Sequence, residues 1–394
     1  FRGAQPMSPT PVTFTSPTAP ASYSWEATDE QVAARYGVDP ASIIRFDLNT
    51  SPTPPDLVSG LLAAGRFEAS LSEYPPTDYR RMIEAAAARY GVAPTELIVG
   101  AGADEILDIV AKVFITGGSS AIVPTPTYAM YRVVTEQRGG TVVPVPRVGE
   151  ADGFALDRPA LRQAVADTGA TVIWLCSPNN PTALAEPDGT IAALLDDLAS
   201  DAAAAGRTAP IVVLDEAYAE FVGRSLVGLR VAYPNLITVR TASKAYALAG
   251  LRIGFAIARP EMIARLNPFR PPGSISTVSV TIVTEALLSP TVLDANLARV
   301  VRERARLTDA LRSIGWSVGP SVTNFILVDF GSPERAGAVA EGLLRRALVP
   351  RTFGAGHPIA DHLRLTVRDP HENDRLIAAA TEITTELATE ETPA

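Results

Sequence analysis

What this chain has little of narrows its chemistry before any motif is read. Its 394 residues hold one cysteine, Cys176, so neither an intrachain disulfide nor a cysteine-built metal cluster is available. The histidines are three, His357, His362 and His371, all near the C-terminal end and without ligand spacing. They give no reason to expect a metal, and a Ser-His-Asp triad would have to borrow its base from that end. Lysine is scarcer still: of 34 basic residues only Lys112 and Lys244 carry a primary amine. No apolar run reaches the roughly 18 residues of a membrane helix, so no membrane partner is expected. A net charge of −9 speaks against non-specific nucleic-acid binding. The Pro/Thr/Ser-rich start, Phe1 to Ser24, has neither a basic nor a continuous apolar region. Residues 1–26 therefore read as a disordered tail, partly a cloning remnant before Met7, and not as a leader peptide.

What is present is a long alternation of short apolar runs and Ala/Leu-rich stretches. Strands are expected at Glu96–Gly100, Ser120–Pro124, Thr141–Val145, Thr171–Cys176, Pro210–Tyr218, Leu236–Arg240 and Arg252–Ala258, with helices at Ala103–Phe114, Tyr128–Gln137 and Thr190–Ala205. Continuous apolar strands separated by helices predict an α/β domain with a mainly parallel, seven-stranded sheet covered on both faces. After about Pro290 the texture changes to a long Arg-rich helix and then alternating strands and helices. The organisation expected is a large domain over 56–289 and a smaller α+β domain from 27–55 and 290–394.

Ligands in open α/β sheets bind at the carboxyl ends of the strands. Here those ends carry polar residues: Asp215 and Tyr218 after one strand, Asn179 and Asn180 in SPNNPT after another. Thr241, Ser243, Lys244 and Arg252 follow a third in TASKAYALAGLRIG, and AGADE opens a helix after a fourth. Catalysis by pyridoxal 5′-phosphate needs this set. It needs a lysine amine for a Schiff base, an anion to keep the ring nitrogen protonated, donors to the phenolic oxygen, and a phosphate cup at a glycine-containing turn into a helix.

DEAY, SPNNPT and TASKAYALAGLRIG, in this order and spacing, resemble the fold type I pyridoxal-phosphate aminotransferases, and most closely the histidinol-phosphate aminotransferase group. The likeness runs from about Ala27 to Leu387. It takes in Tyr74–Pro75, GAGADE, PTYAMY, NFIL (Asn324–Leu327) and LRLTV (Leu363–Val367). The resemblance implies that Lys244 carries the cofactor and shuttles the proton, while Asp215 pairs with the ring nitrogen. Asn180 and Tyr218 would bond the phenolic oxygen, and Tyr128 would stack on the ring. Ala103, Asp104, Thr241, Ser243 and Arg252 would hold the phosphate, with Tyr74 reaching it from a second subunit of a homodimer. Arg364 and Arg351 would bind substrate anions, and Asn49 would lie where an N-terminal segment closes over the substrate. The expected partners are an amino donor and a keto-acid acceptor, with histidinol phosphate and 2-oxoglutarate as the pair, in the cytoplasm.

Plainer readings stand beside these. Asp215 could be a helix N-cap, Asn179 and Asn180 turn residues, and Tyr74 and Tyr128 ordinary interface or core aromatics. Arg364 could be a solvated strand arginine, and Cys176 fits an inert core thiol. Lys112, inside ADEILDIVAKVF, fits a snorkelling surface lysine. Three departures from the histidinol-phosphate pattern bear on the substrate: LNTSPTPP in place of an N-E-N-P form, Ala183 where glycine is usual after the asparagine turn, and Arg368 where glycine usually follows LRLTV. Other reactions on the same cofactor frame, a decarboxylase, a cyclase or an oxidase, stay open from motifs alone. A transcription regulator would need a basic DNA-binding module, and only the short tail precedes Ala27.

Overall fold

The computed structural model describes residues 22–390; residues 1–21 and 391–394 lie outside the described residues. In chain order the strands are β1 (Ile44–Arg45), β2 (Leu97–Gly100), β3 (Ser120–Thr125), β4 (Thr141–Pro146), β5 (Val172–Cys176) and β6 (Ile211–Asp215). There follow β7 (Leu236–Thr241), β8 (Gly254–Ile257), β9 (Ser317–Val318), β10 (Phe325–Asp329), β11 (Leu348–Val349) and β12 (His362–Thr366). A seven-stranded sheet takes the order β2-β8-β7-β6-β5-β3-β4. Alternate residues of β5 and β6 feed two separate cores. Trp174, Cys176 and Val213 pack on one face, and Ile173, Leu175, Val212 and Leu214 on the other. With both faces covered, these strands have to be apolar throughout.

The sheet is parallel from β4 through β7, and β8 runs antiparallel to both neighbours, β7 and β2. The reversal has a local cause. Between β7 and β8 the chain makes only a 3₁₀ turn, Ala249–Leu251, too little for a crossover, so it folds straight back. Ala247 and Arg252 flank that turn at φ 57° and 53°, left-handed values that a tight return requires.

Beyond the large sheet, β9, β10 and β12 form a three-stranded antiparallel sheet, and β1 pairs in parallel with β11. Helices Asp294–Ser313, Pro333–Leu344 and Pro370–Glu390 cover them around a core that includes Phe46, Leu307, Trp316 and Leu365. The β1–β11 pairing carries the N-terminal strand onto the C-terminal half. It thereby leads residues 47–50 across the carboxyl ends of the large sheet. No described helix is long and apolar enough to cross a membrane.

Candidate active site

A cleft of about 410 Å³ opens where β5, β6 and β7 end against residues 47–50 and β12. Its lining contains every expected site residue except Tyr74. Tyr74 is 87% exposed and stands away from the cleft of its own chain.

On the large-sheet wall, Asp215 is the last residue of β6 and is buried. Its Oδ1 accepts from the Ala217 amide at 2.9 Å and its Oδ2 from the Tyr131 hydroxyl at 2.8 Å. Burial pushes the carboxyl up to about 6, against the lowering effect of those two donors. Lys244 stands just past β7 with Nζ 3.3 Å from the Leu48 carbonyl and 5.8 Å from the centre of the Tyr218 ring. Burial, with Arg364 as second cause, pushes its amine down to about 8. Thr241 and Ser243 flank it: the Thr241 hydroxyl bonds Ser243 Oγ at 3.0 Å and the Ile253 carbonyl at 3.0 Å. The Ser243 amide returns to Thr241 Oγ1 at 3.1 Å.

Opposite these residues, helix Ala103–Phe114 starts at Gly102, whose φ of 86° suits glycine. A Cβ there would lie 2.4 Å from Arg252 Nη2, and one on Gly254 would lie 2.4 Å from the Ala103 nitrogen. The two glycines therefore let Arg252 and the helix start converge. Asp104 accepts from the Tyr128 hydroxyl at 3.0 Å and from Arg252 Nη2 at 3.2 Å. The first amides of a helix have no partner within it and point at such a cup.

The other wall comes from distant parts of the chain. Arg364, in β12, is buried; Nη1 donates to Asn180 Oδ1 at 2.5 Å and Nη2 to the Asp47 carbonyl. Among the described residues its Nε has no hydrogen-bond partner, and burial pulls its pKa down from the ordinary arginine value. The Asn180 amide nitrogen is left as the donor. Asn49, at φ 54°, donates from Nδ2 to the Tyr218 hydroxyl at 3.1 Å, and burial raises the Tyr218 pKa. The main chains of Arg351 and Arg364 exchange two 3.1 Å bonds in an isolated antiparallel bridge, which sets the two arginines side by side. Asn179 is a tie between loops, bonding Thr127, the Pro126 carbonyl and Thr182 at 2.8–3.1 Å, a turn role alone.

Two features escape the motif reading. Tyr131, in the same PTYAMY segment as Tyr128, fixes the Asp215 carboxylate; it stacks on Trp174 at 5.7 Å with the rings 5° apart. Its signal was its place three residues on from Tyr128 in the same segment, at the start of helix Met130–Gln137. Residues 22–26, assigned to a tail by composition, lie across the cleft. Tyr23 sits 4.7 Å from Trp25 and 6.0 Å from Tyr128, with the Arg351 guanidinium 5.6 Å from its centre. Arg351 Nη1 donates to the Ser24 carbonyl at 2.8 Å, and Thr352 holds Glu26 through its amide at 2.8 Å and hydroxyl at 2.9 Å. Edge-on and tilted aromatic contacts and a carboxylate thus hold a segment that low complexity alone would leave loose. Lys112 pairs with Asp108 at 2.5 Å on a helix surface, far from this chemistry.

Comparison with known proteins places the geometry in context. The family model described as aminotransferase class I and II matches residues 47–379. A histidinol-phosphate aminotransferase of Xanthomonas campestris pv. campestris (strain 8004) is 37% identical over 318 residues, covering 79% of this chain and 85% of that protein. One of Symbiobacterium thermophilum is 33% identical over 342 residues, covering 86% and 89%. A crystal structure of histidinol-phosphate aminotransferase from Sinorhizobium meliloti in complex with pyridoxal 5′-phosphate superposes with a TM-score of 0.82 at 25% identity, over 93% of this chain and 96% of that one.

The residues present fit that cofactor. The amine of Lys244 is brought down to about 8, the Asp215 carboxylate is pinned by two donors, and Gly102 and Gly254 let Arg252 and the helix start close up into one cradle, where any Cβ would collide with them. A cationic ring nitrogen against Asp215 would offset the desolvation that raises its pKa.

Proposed function

Because the chain belongs to the class I and II aminotransferases and is a pyridoxal 5′-phosphate enzyme, we propose that it transfers the amino group of L-histidinol phosphate to 2-oxoglutarate, giving glutamate. The observation that carries the substrate reading is the adjacent pair of arginines, Arg364 and Arg351, across the cleft from Lys244. The planar guanidinium groups of two arginines so paired suit a donor with a phosphate and an acceptor with two carboxylates, bound in turn. The relatives named histidinol-phosphate aminotransferase support the same reading.

When bound, the cofactor supplies an electron sink for a bond broken at the substrate's α-carbon. Lys244 would hold it, and its Nζ would be the base that moves the proton off that carbon; a lowered pKa suits a base working near neutrality. Asp215, oriented by Tyr131 and the Ala217 amide, would be the anion that pairs with the ring nitrogen. The Ala103 and Asp104 amides with Thr241, Ser243 and Arg252 anchor the phosphate, and Asn180 and Tyr218 orient the phenolic side. Tyr23 and Trp25 screen the cleft from water on the substrate side. We read the enzyme as a cytoplasmic homodimer, in which Tyr74 of one subunit reaches the phosphate cup of the other; its 87% exposure in the single chain supports that reading.

The test is a side-by-side screen of histidinol phosphate, aromatic and basic amino acids as donors, following 2-oxoglutarate loss and glutamate gain. Histidinol phosphate should give the highest kcat/KM. Equal or better turnover of an unphosphorylated donor would overturn the substrate. Absence of glutamate with every donor would overturn transamination.

A further inference from the structure

We propose that Glu150, Asp329 and His362 form a binding site for one divalent transition-metal cation of the Zn²⁺ class, which joins a loop of the large sheet to the small sheet. One ligand atom from each of the three lies within 4.8 Å of those of the other two. Asp329 and His362 are directly opposed across the β10–β12 pair, so both side chains leave the same face of that sheet. Glu150 comes from the other side. It opens the 3₁₀ turn Glu150–Asp152 in the connection that follows β4, a connection closed on itself by Val148 donating to the Ala155 carbonyl at 3.0 Å.

The histidine is the observation that points to a ligand. His362 is 4% exposed, yet its Nε2 has no hydrogen-bond partner among the described residues. The nearest group, Glu150 Oε2, is 3.4 Å away and outside hydrogen-bonding geometry. Its other nitrogen, Nδ1, is 2.6 Å from Asp361 Oδ1. A carboxylate on Nδ1 fixes the tautomer whose Nε2 lone pair is free, the outer arrangement found behind metal-bound imidazoles. Asp329 is held the same way: Oδ1 accepts from the Gly331 amide at 2.7 Å, and Oδ2 remains. Glu150 is the exposed partner, so its side chain can swing in. Drawing the three atoms to roughly 3.4 Å apart, the edge of a tetrahedron with ~2.1 Å metal–ligand distances, is within that freedom.

One imidazole and two carboxylates select the chemistry of the ion. Imidazole favours Zn²⁺ and its first-row neighbours, whereas Mg²⁺ and Ca²⁺ prefer oxygen donors alone. The place of the site gives it a consequence. His362 and Arg364 lie two residues apart on β12 and so share a face, and Arg364 reaches the cleft. An ion at one end of that strand fixes the sheet that carries Arg364 to the sheet that carries Lys244.

The test uses the pyridoxal-phosphate-loaded enzyme, stripped with EDTA and free of amino substrate. Zn²⁺ is titrated calorimetrically, metal content is measured by mass spectrometry, and Co²⁺ is added separately for its visible ligand-field bands. One Zn²⁺ per chain is expected, with a raised Tm and a Co²⁺ spectrum of low coordination number, while Mg²⁺ in excess leaves both unchanged. Glu150→Gln, at an exposed position that folding tolerates, should weaken binding more than 100-fold. Asp361→Asn, which leaves all three ligands in place, should weaken it ~10–100-fold. No stoichiometric uptake by the wild type overturns the proposal, as does Glu150→Gln taking up Zn²⁺ like the wild type. In the first case His362 is an ordinary ion-paired side chain; in the second the ion binds elsewhere.

Discussion

The two walls of the cleft are built on different principles. On the large-sheet wall, Asp215, Tyr218, Thr241, Ser243 and Lys244 stand within a few residues of strand ends, and several of their bonds close within the same short segment. Asp215 meets Ala217, and Thr241 meets Ser243. On the opposite wall the bonds span most of the chain: Arg364 to Asn180 and Asp47, Asn49 to Tyr218, Arg351 to Ser24. On the proposed reading, most of the cofactor's contacts come from short segments at the strand ends. The proposed substrate residues are brought together only when the whole chain has folded.

The variants that best break this contrast begin with Lys244. Lys244→Ala should lower kcat by about 10⁴-fold, because among the described residues no other lysine lines the cleft; single-turnover rates with histidinol phosphate measure it. A residual rate within tenfold of the wild type would mean that this wall does not carry the proton transfer. Asp215→Asn comes next, with a loss in kcat of about 10²–10³-fold, the usual scale for one misplaced charge opposite a developing one. On the other wall, Arg364→Lys keeps the charge and loses the fork. We expect kcat/KM for 2-oxoglutarate to fall roughly 10²-fold, about 2–3 kcal/mol, chiefly through KM. A loss confined to kcat would show that the walls are not separate in function. Tyr131→Phe removes one hydrogen bond to Asp215 and should cost about tenfold in kcat.

The smallest effect is one of pH. With burial holding the Lys244 amine at about 8, its neutral form prevails above that pH. Cofactor uptake by the apoenzyme should therefore quicken as pH rises through about 8, followed by the change in cofactor absorbance. The same shift acts on apoenzyme stability. The folded-state pKa lies below the ~10.4 of a free lysine, so between those values the unfolded chain binds more protons and stability rises with pH. Lys244→Met should flatten both dependences.

The contrast between the walls also explains what could be read from the sequence. Strand ends and the residues just after them were legible, since apolar runs ending in Asp215, Asn180 or Thr241 show both element and site at once. The antiparallel course of β8 was not, because it follows from the shortness of the Ala242–Ile253 return and not from the composition of the strand. The helix Thr277–Leu288 gave no helical signal either. It is rich in β-branched residues, and its buried threonines are tolerable because Thr281 and Thr284 bond back to the carbonyls of Thr277 and Val280 at 3.0 and 2.7 Å. Tyr23 and Trp25 were hidden by their low-complexity surroundings, since contact with Arg351 and Tyr128 is a property of the fold. The opposition of Asp329 and His362 was hidden likewise, because only strand pairing brings two residues so far apart in sequence face to face.

The scarcity of lysine has a practical side. Lys112 pairs with Asp108 on a helix surface, while burial brings the Lys244 amine down to about 8, where mild alkali frees its neutral form. A peptide-resolved acylation map of the cofactor-free protein near pH 8 would therefore have few sites to follow, and the bound cofactor would shield the one at Lys244. Lysine-to-lysine cross-linking within one chain would be nearly silent, and tryptic peptides would end almost everywhere in arginine. For this protein a general amine reagent becomes an occupancy assay.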